Sequence, residues 1–147
     1  MKFLYKNILI NFFIFIIAVG HVIADPIIEA QQAYLQGNYA KAEKLVRPLA
    51  EKGDILAQYN LGVMYANENV AIHDDQEAAK WFHMAAEQGD SDAQVWLGDS
   101  YVAGRGVTWD VQKAIDWYRL AGNQGHIIAQ IRLGLMYDEG QGVTQNY

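Results

Sequence analysis

Gly89-Asp90-Ser91-Asp92-Ala93 has the outline of a nucleophile elbow, a serine on a sharp turn between a strand and a helix. Gly98-Asp99-Ser100 sets another serine beside an acid, and Gly104-Arg105-Gly106-Val107-Thr108-Trp109 begins like a dinucleotide-binding turn. His73-Asp74-Asp75, with Glu77 and His83, gathers residue types that ligate metals. What each string can do depends on the element that carries it. The chain offers a test for that, because it repeats itself.

Ala57-Gln58, Leu61-Gly62 and Tyr65 return as Ala93-Gln94, Leu97-Gly98 and Tyr101, and again as Ala129-Gln130, Leu133-Gly134 and Tyr137, each step being 36 residues. Ala78, Trp81, Phe82, Ala85 and Gln88-Gly89 return at the same offset as Ala114, Trp117, Tyr118, Ala121 and Gln124-Gly125. A fixed period of this size marks stacked helical units. Ala57, Leu61, Gly62 and Tyr65 share one face of a first helix, helix A, and Ala78, Trp81, Phe82 and Ala85 form the stripe of a second, helix B. A glycine inside helix A costs about 1 kcal/mol against alanine, so its recurrence predicts close approach of a neighbouring helix. Gly89 and Gly125 stand at left-handed helix ends, and Asp54, Ser91 or Asp92 can cap the helix that follows.

Between helices A and B lie Gly104-Arg105-Gly106-Val107 and Gly140-Gln141-Gly142-Val143. The first unit has Glu68-Asn69-Val70-Ala71 instead, with Asn67 and Asn69 as the residues able to take positive φ, which predicts a loop of different shape. Upstream, Asp25-Pro26 starts a divergent helix pair over residues 25–54, with a turn at Gly37-Asn38 and a helix B stripe of Ala42, Leu45, Val46, Leu49 and Ala50. The units are then 55–90, 91–126 and an incomplete third, 127–147, with helix A and its loop only. That reads as a fragment or an uncapped solenoid. In it Leu133, Met136 and Tyr137 lack a covering helix, which predicts a fraying C-terminus or a weak homodimer through that helix.

On this frame the catalytic outlines dissolve. Ser91 follows a helix rather than a strand and reads as an N-cap, and Ser100 lies mid-helix. Trp109 replaces the third glycine of a dinucleotide turn, and Asp74 recurs as Asp110, which suits capping of helix B better than ligation of a metal. No catalytic residue, cofactor or metal site is expected.

Residues 1–24 read as an export signal. Lys2 and Lys6 precede an apolar run, and Val22-Ile23-Ala24 ends in the small residue needed for cleavage, which would leave Asp25 first. The export reading places the protein in the periplasm or outside the cell. An uncleaved inner-membrane anchor through residues 8–23 is the alternative, and otherwise no membrane contact is expected. Without the leader, nine basic and 17 acidic residues give a net charge of −8, which repels phosphate backbones and argues against nucleic acid. Cysteine is absent, so the fold rests on its apolar core without disulfides.

The recurrent Ala-x-x-x-Leu-Gly-x-x-Tyr, Gly-x-Gly-Val and Ala-x-x-Trp-Tyr pattern resembles the Sel-one-like repeat family, relatives of tetratricopeptide repeats. The likeness is strong over Ala57 to Val143 and weak over Ile27 to Gly53. It implies an all-α solenoid, a right-handed superhelix of antiparallel helix pairs. It also implies a protein or peptide partner held on the concave helix A surface, with the chain acting as an adaptor or host-interaction scaffold. The positions so implied are Tyr59, Asn60, Val63 and Asn67, then Val95, Trp96, Asp99 and Ala103, then Ile131, Arg132 and Leu135. Trp96 stands out as an aromatic outside the packing pattern, level with Asn60 and Arg132. Some cysteine-rich members of that family are associated with β-lactam binding or hydrolysis. This chain lacks those cysteines and also Ser-x-x-Lys and Lys-Thr-Gly, so the expectation is a non-enzyme.

Overall fold

The computed structural model describes residues 26–140, so the leader, Asp25 and the loop residues from Gln141 onward lie outside the described residues. Seven helices run in chain order among them: α1 (Pro26–Leu35), α2 (Tyr39–Glu51), α3 (Ile55–Ala66), α4 (Asp75–Glu87), α5 (Ser91–Ala103), α6 (Val111–Asn123) and α7 (Ile127–Asp138). Helices α3, α5 and α7 carry the helix A pattern, and α4 and α6 that of helix B. Each helix packs on its chain neighbours, and α3 also touches α5. The chain is an α-solenoid. None of these helices is long and apolar enough to cross a membrane.

The joints between units explain the period. Gly53, Gly89 and Gly125 have φ of 93°, 95° and 87°. The next residue returns its N–H to the last turn of the preceding helix, Asp54 to Leu49, Asp90 to Ala85 and His126 to Ala121. That same residue then caps the following helix: Asp54 accepts from the Ala57 N–H at 2.8 Å and Asp90 from that of Ala93 at 2.7 Å. His126 takes the position in the third unit, its Nδ1 3.4 Å from the Ala129 nitrogen. Ser91, read above as the cap, is instead the first residue of α5, because the glycine turn leaves Asp90 extended and aimed at the open N–H groups. Asp74 and Asp110 do cap helix B, accepting from Gln76 and Glu77 and from Lys113.

The recurrent glutamines set the stacking register. Gln58, Gln94 and Gln130 each donate to a carbonyl at the end of the preceding helix B, those of Ala50, Ala86 and Gly122. Gln88 and Gln124 in turn donate to the Oε1 atoms of Gln58 and Gln94. Gln58 and Gln94 are buried, so each bond satisfies a group that would otherwise cost about 1–3 kcal/mol. The helix A glycines behave as their recurrence predicts. A Cβ on Gly62 would stand 2.5 Å from the Phe82 ring, and one on Gly98 2.5 Å from that of Tyr118.

Tyr65 joins unit one to the N-terminal pair. Its hydroxyl donates to Glu43 at 2.7 Å and accepts from Arg47, which also bonds Glu43 at 2.8 Å. Burial pushes the Glu43 carboxyl up, but the bonds from Arg47 and Tyr65 and the charge of Arg47 outweigh it, leaving the net pKa below 4.5. Burial and the Glu43 carboxylate drive the Tyr65 hydroxyl up to about 12. Both shifts link folding to pH. The Glu43 contribution is present above its unfolded value near 4.5 and disappears as pH falls through the lower folded value. The Tyr65 contribution is present below 10 and disappears as pH rises toward 12. Urea midpoints of wild type and Glu43→Gln should therefore differ at pH 7 and converge at acid pH. A constant difference would contradict the linkage.

At the C-terminal end, Met136 is buried and Leu133 half-buried against α5 and α6, contrary to the expectation that both lie uncovered. They face back onto the preceding unit. The apolar side chains that α7 leaves open, besides Tyr137, are Ile127, Ile128, Ile131 and Leu135.

Candidate binding groove

Three clefts follow one another along the helix A side. The first lies between α1 and α3, around Tyr34, Asn60 and Val63. The second lies between α3 and α5, around Val63, Asn67 and Trp96, and the third between α5 and α7, around Asp99, Arg132 and Leu135. Val63 lines both the first and the second, and Arg105 both the second and the third. The clefts are thus contiguous. They are lined by every residue of the set Asn60, Val63, Asn67, Trp96, Asp99, Arg132 and Leu135.

Local sequence accounts for each wall. Trp96 is half-buried rather than free of the packing, its indole stacked on Phe82 with ring centroids 5.3 Å apart and planes 6° from parallel. Phe82 also meets Tyr59, at 6.1 Å. Burial pushes the Tyr59 hydroxyl above 10, against the lowering effect of its hydrogen bond with Trp96. Tyr59 lines none of these clefts and supports Trp96 from behind. Val95 is buried against α6 and is removed from the groove positions, because its direction from α5 is toward helix B of its own unit.

Asp99 stands where the sister units have Val63 and Leu135, and Tyr118 where the first unit has Phe82. The two polar substitutions answer each other, since the Tyr118 hydroxyl donates to Asp99 at 2.6 Å. Burial and the Asp99 carboxylate raise the Tyr118 pKa well above the usual phenol range. Arg132 reaches the same carboxylate through Nε at 3.2 Å and through a second nitrogen at 3.4 Å. Sequence reasoning placed Asp99 in the groove but missed Tyr118. The signal was the lone tyrosine and aspartate appearing together in one unit.

Loop residues border the second and third clefts, Glu68 and Asn69 the second and Arg105 both. Gly104 is left-handed at φ 67°, and a Cβ on Gly106 would fall 1.9 Å from the Asp75 carbonyl oxygen, so this loop packs on the start of α4. The first-unit loop differs, as expected, but not through positive φ. Asn67 is extended and its side chain accepts from the Asn69 N–H at 3.0 Å, which turns the chain and buries Val70. Arg105 crosses to Glu68 at 3.6 Å.

The catalytic outlines have local uses. The Ser100 hydroxyl donates to the Trp96 carbonyl within α5. A ring nitrogen of His73 lies 2.9 Å from the Tyr65 carbonyl, while His83 packs edge-on against Trp117 and pairs with Glu87. Among the described residues no group of three or more His, Cys, Asp or Glu is arranged to hold a metal ion.

Stacked helix pairs with a contiguous groove on one side define an α-solenoid repeat protein. The Sel1 repeat model matches residues 55–90, 91–126 and 127–147, and the chain belongs to the Sel1 repeat family. Proteins of this family are generally protein-interaction scaffolds without enzymatic activity. Among solved structures, the chain is similar to c5321, a protective antigen present in uropathogenic Escherichia coli strains displaying an SLR fold. The match has 39% identity and a TM-score of 0.73, over 88% of this chain and 28% of that one. It is also similar to a Sel1 repeat protein from Oxalobacter formigenes, at 33% identity and a TM-score of 0.65, over 76% of this chain and 33% of that one. The chain thus spans about a third or less of the length of these two structures. No curated protein matches it.

Proposed function

We propose that this chain is an exported, non-catalytic scaffold that holds an extended segment of a partner protein along the helix A groove. The supporting observation is the contiguity of the three clefts through Val63 and Arg105, with Trp96 at their middle. An extended peptide advances about 3.3 Å per residue, so a groove crossing several helices engages a run of side chains and not a single group. Tyr59, Asn60, Val63, Asn67, Trp96, Asp99, Arg132 and Leu135 are the positions assigned to it, Tyr59 acting through Trp96. The acidic composition disfavours nucleic acid as the occupant. Export rests on the leader at residues 1–24, and N-terminal sequencing of the protein from its native cell should begin at Asp25.

The test is selection of peptides from a random display library, followed by titration of the selected peptides. Trp96→Ala should weaken binding by about tenfold or more, the scale of a central aromatic hot spot. Trp109→Ala, which changes an exposed tryptophan that lines none of these clefts, should leave it unchanged. Equal affinities for wild type and Trp96→Ala would place the binding surface elsewhere.

A further inference from the structure

The first cleft differs from the other two in its chemistry. Its walls are Gln31, Tyr34, Leu35, Asn60, Val63 and Met64, none of them charged, whereas the second and third contain Glu68, Asp99, Arg105 and Arg132. Within this uncharged setting the Asn60 Nδ2 group is closed off from solvent and has no hydrogen-bond partner among the described residues. A buried donor left unmatched is rare in folded proteins and calls for an explanation. Beside it, the Tyr34 hydroxyl accepts from Asn67 Nδ2 at 2.6 Å, which uses a lone pair and leaves its proton to donate. The cleft therefore offers donors and no charge. Its complement is an uncharged acceptor attached to an apolar body.

The geometry points to this cleft as the anchor pocket of the groove for an aliphatic residue of the bound segment, with a main-chain carbonyl of that residue accepting from Asn60 Nδ2. This deepens the groove reading and rests on it. Val63, shared with the second cleft, carries the segment on toward Trp96. Asn60 lines the cleft and is half-buried as a residue, so a rotation of its amide brings Nδ2 to a ligand seated there. A charged side chain is excluded, because no counter-charge lines the pocket and its desolvation would go uncompensated. The equivalents of Asn60 are Trp96 and Arg132, so this pocket occurs once among the described units.

The probes are N-acetyl-leucine-N-methylamide and its lysine and glutamate counterparts, titrated into the 15N-labelled protein. The leucine probe should shift the Asn60 side-chain amide pair and the Val63 amide saturably at up to about 50 mM, the range for so small a ligand. The charged probes should bind at least about fivefold more weakly. Asn60→Asp, which keeps the shape but removes the donor, should abolish the shift at Val63. Asn60→Leu should abolish it too while raising Tm by about 4–8 °C, because the unmatched donor is gone. A purely structural asparagine would lose stability on that change. No shift with the leucine probe, equal shifts with the glutamate probe, or a lower Tm in Asn60→Leu would each overturn the assignment. Library peptides that bind through Trp96 but do not protect Asn60 would sink the anchor pocket alone. A leucine shift without any selected peptide would leave the pocket and remove the extended groove.

Discussion

Phe82→Ala is expected to lower the unfolding free energy by about 3–5 kcal/mol, the usual cost of emptying a large aromatic site in a closed core. Phe82 is 1% exposed and touches three things that have no substitute for it. Its ring lies over Gly62, meets Tyr59 at 6.1 Å and carries the indole of Trp96. Alanine leaves a void between α3, α4 and α5, and helices held by the turn at Gly89 and by the short loop from Asn67 to Asp74 close only part of it. The loss should appear in urea unfolding, and tryptophan emission of the folded state should move as Trp96 loses its stacking partner. A cost below about 1 kcal/mol would mean that the units slide together and that the ring does not set their spacing. Phe82→Tyr makes a second comparison. Tyr118 bears its hydroxyl because Asp99 receives it, but at Phe82 the facing residue is Val63, so the new hydroxyl has no such acceptor.

Gly98→Ala and Gly134→Ala should have opposite signs although the two residues occupy the same place in the repeat. Alanine in a helix interior gains about 1 kcal/mol over glycine wherever its methyl has room. At Gly134 nothing among the described residues lies within 4 Å of the added Cβ, so in this chain the gain should be realised. At Gly98 the methyl would meet the Tyr118 ring at 2.5 Å. That ring is buried, and its hydroxyl is tied to Asp99, so it has nowhere to retreat. Overpacking of this kind costs about 1–3 kcal/mol, which outweighs the propensity gain. Chemical denaturation of the two single variants is the measurement. Stabilisation by both would show that the α5–α6 spacing is soft.

These predictions depend on facts of two kinds. The period, the helix pairs and the packing stripe are repeated identities at helical spacing, and a repeat displays them in the letters alone. So is the reason for Gly62 and Gly98, since a recurrent unfavourable residue signals close approach. The groove residues are not of this kind. Asn67 looks open in the sequence but spends its amide on Tyr34 and its carbonyl oxygen on the Asn69 N–H. Trp96 looks like a free aromatic, yet one face is taken by Phe82. Ser91 and Asp90 are adjacent candidates for one cap, and only the backbone angle left by Gly89 selects Asp90.

By itself, then, the order of residues determined the architecture: a 36-residue unit, two helices in each, glycine at the joints, and aromatic rings seated on glycine. Local spacing suffices there, because each contact recurs and averages over copies. The tertiary structure decided which polar groups outside the pattern are matched. Asp99 is claimed by Tyr118 and Arg132, and the Asn60 Nδ2 group by none of the described residues, although both lie on the same side of helix A. That outcome depends on which side chains of neighbouring helices arrive within hydrogen-bond distance. Partners separated by 19 to 33 residues are joined by stacking and not by sequence proximity.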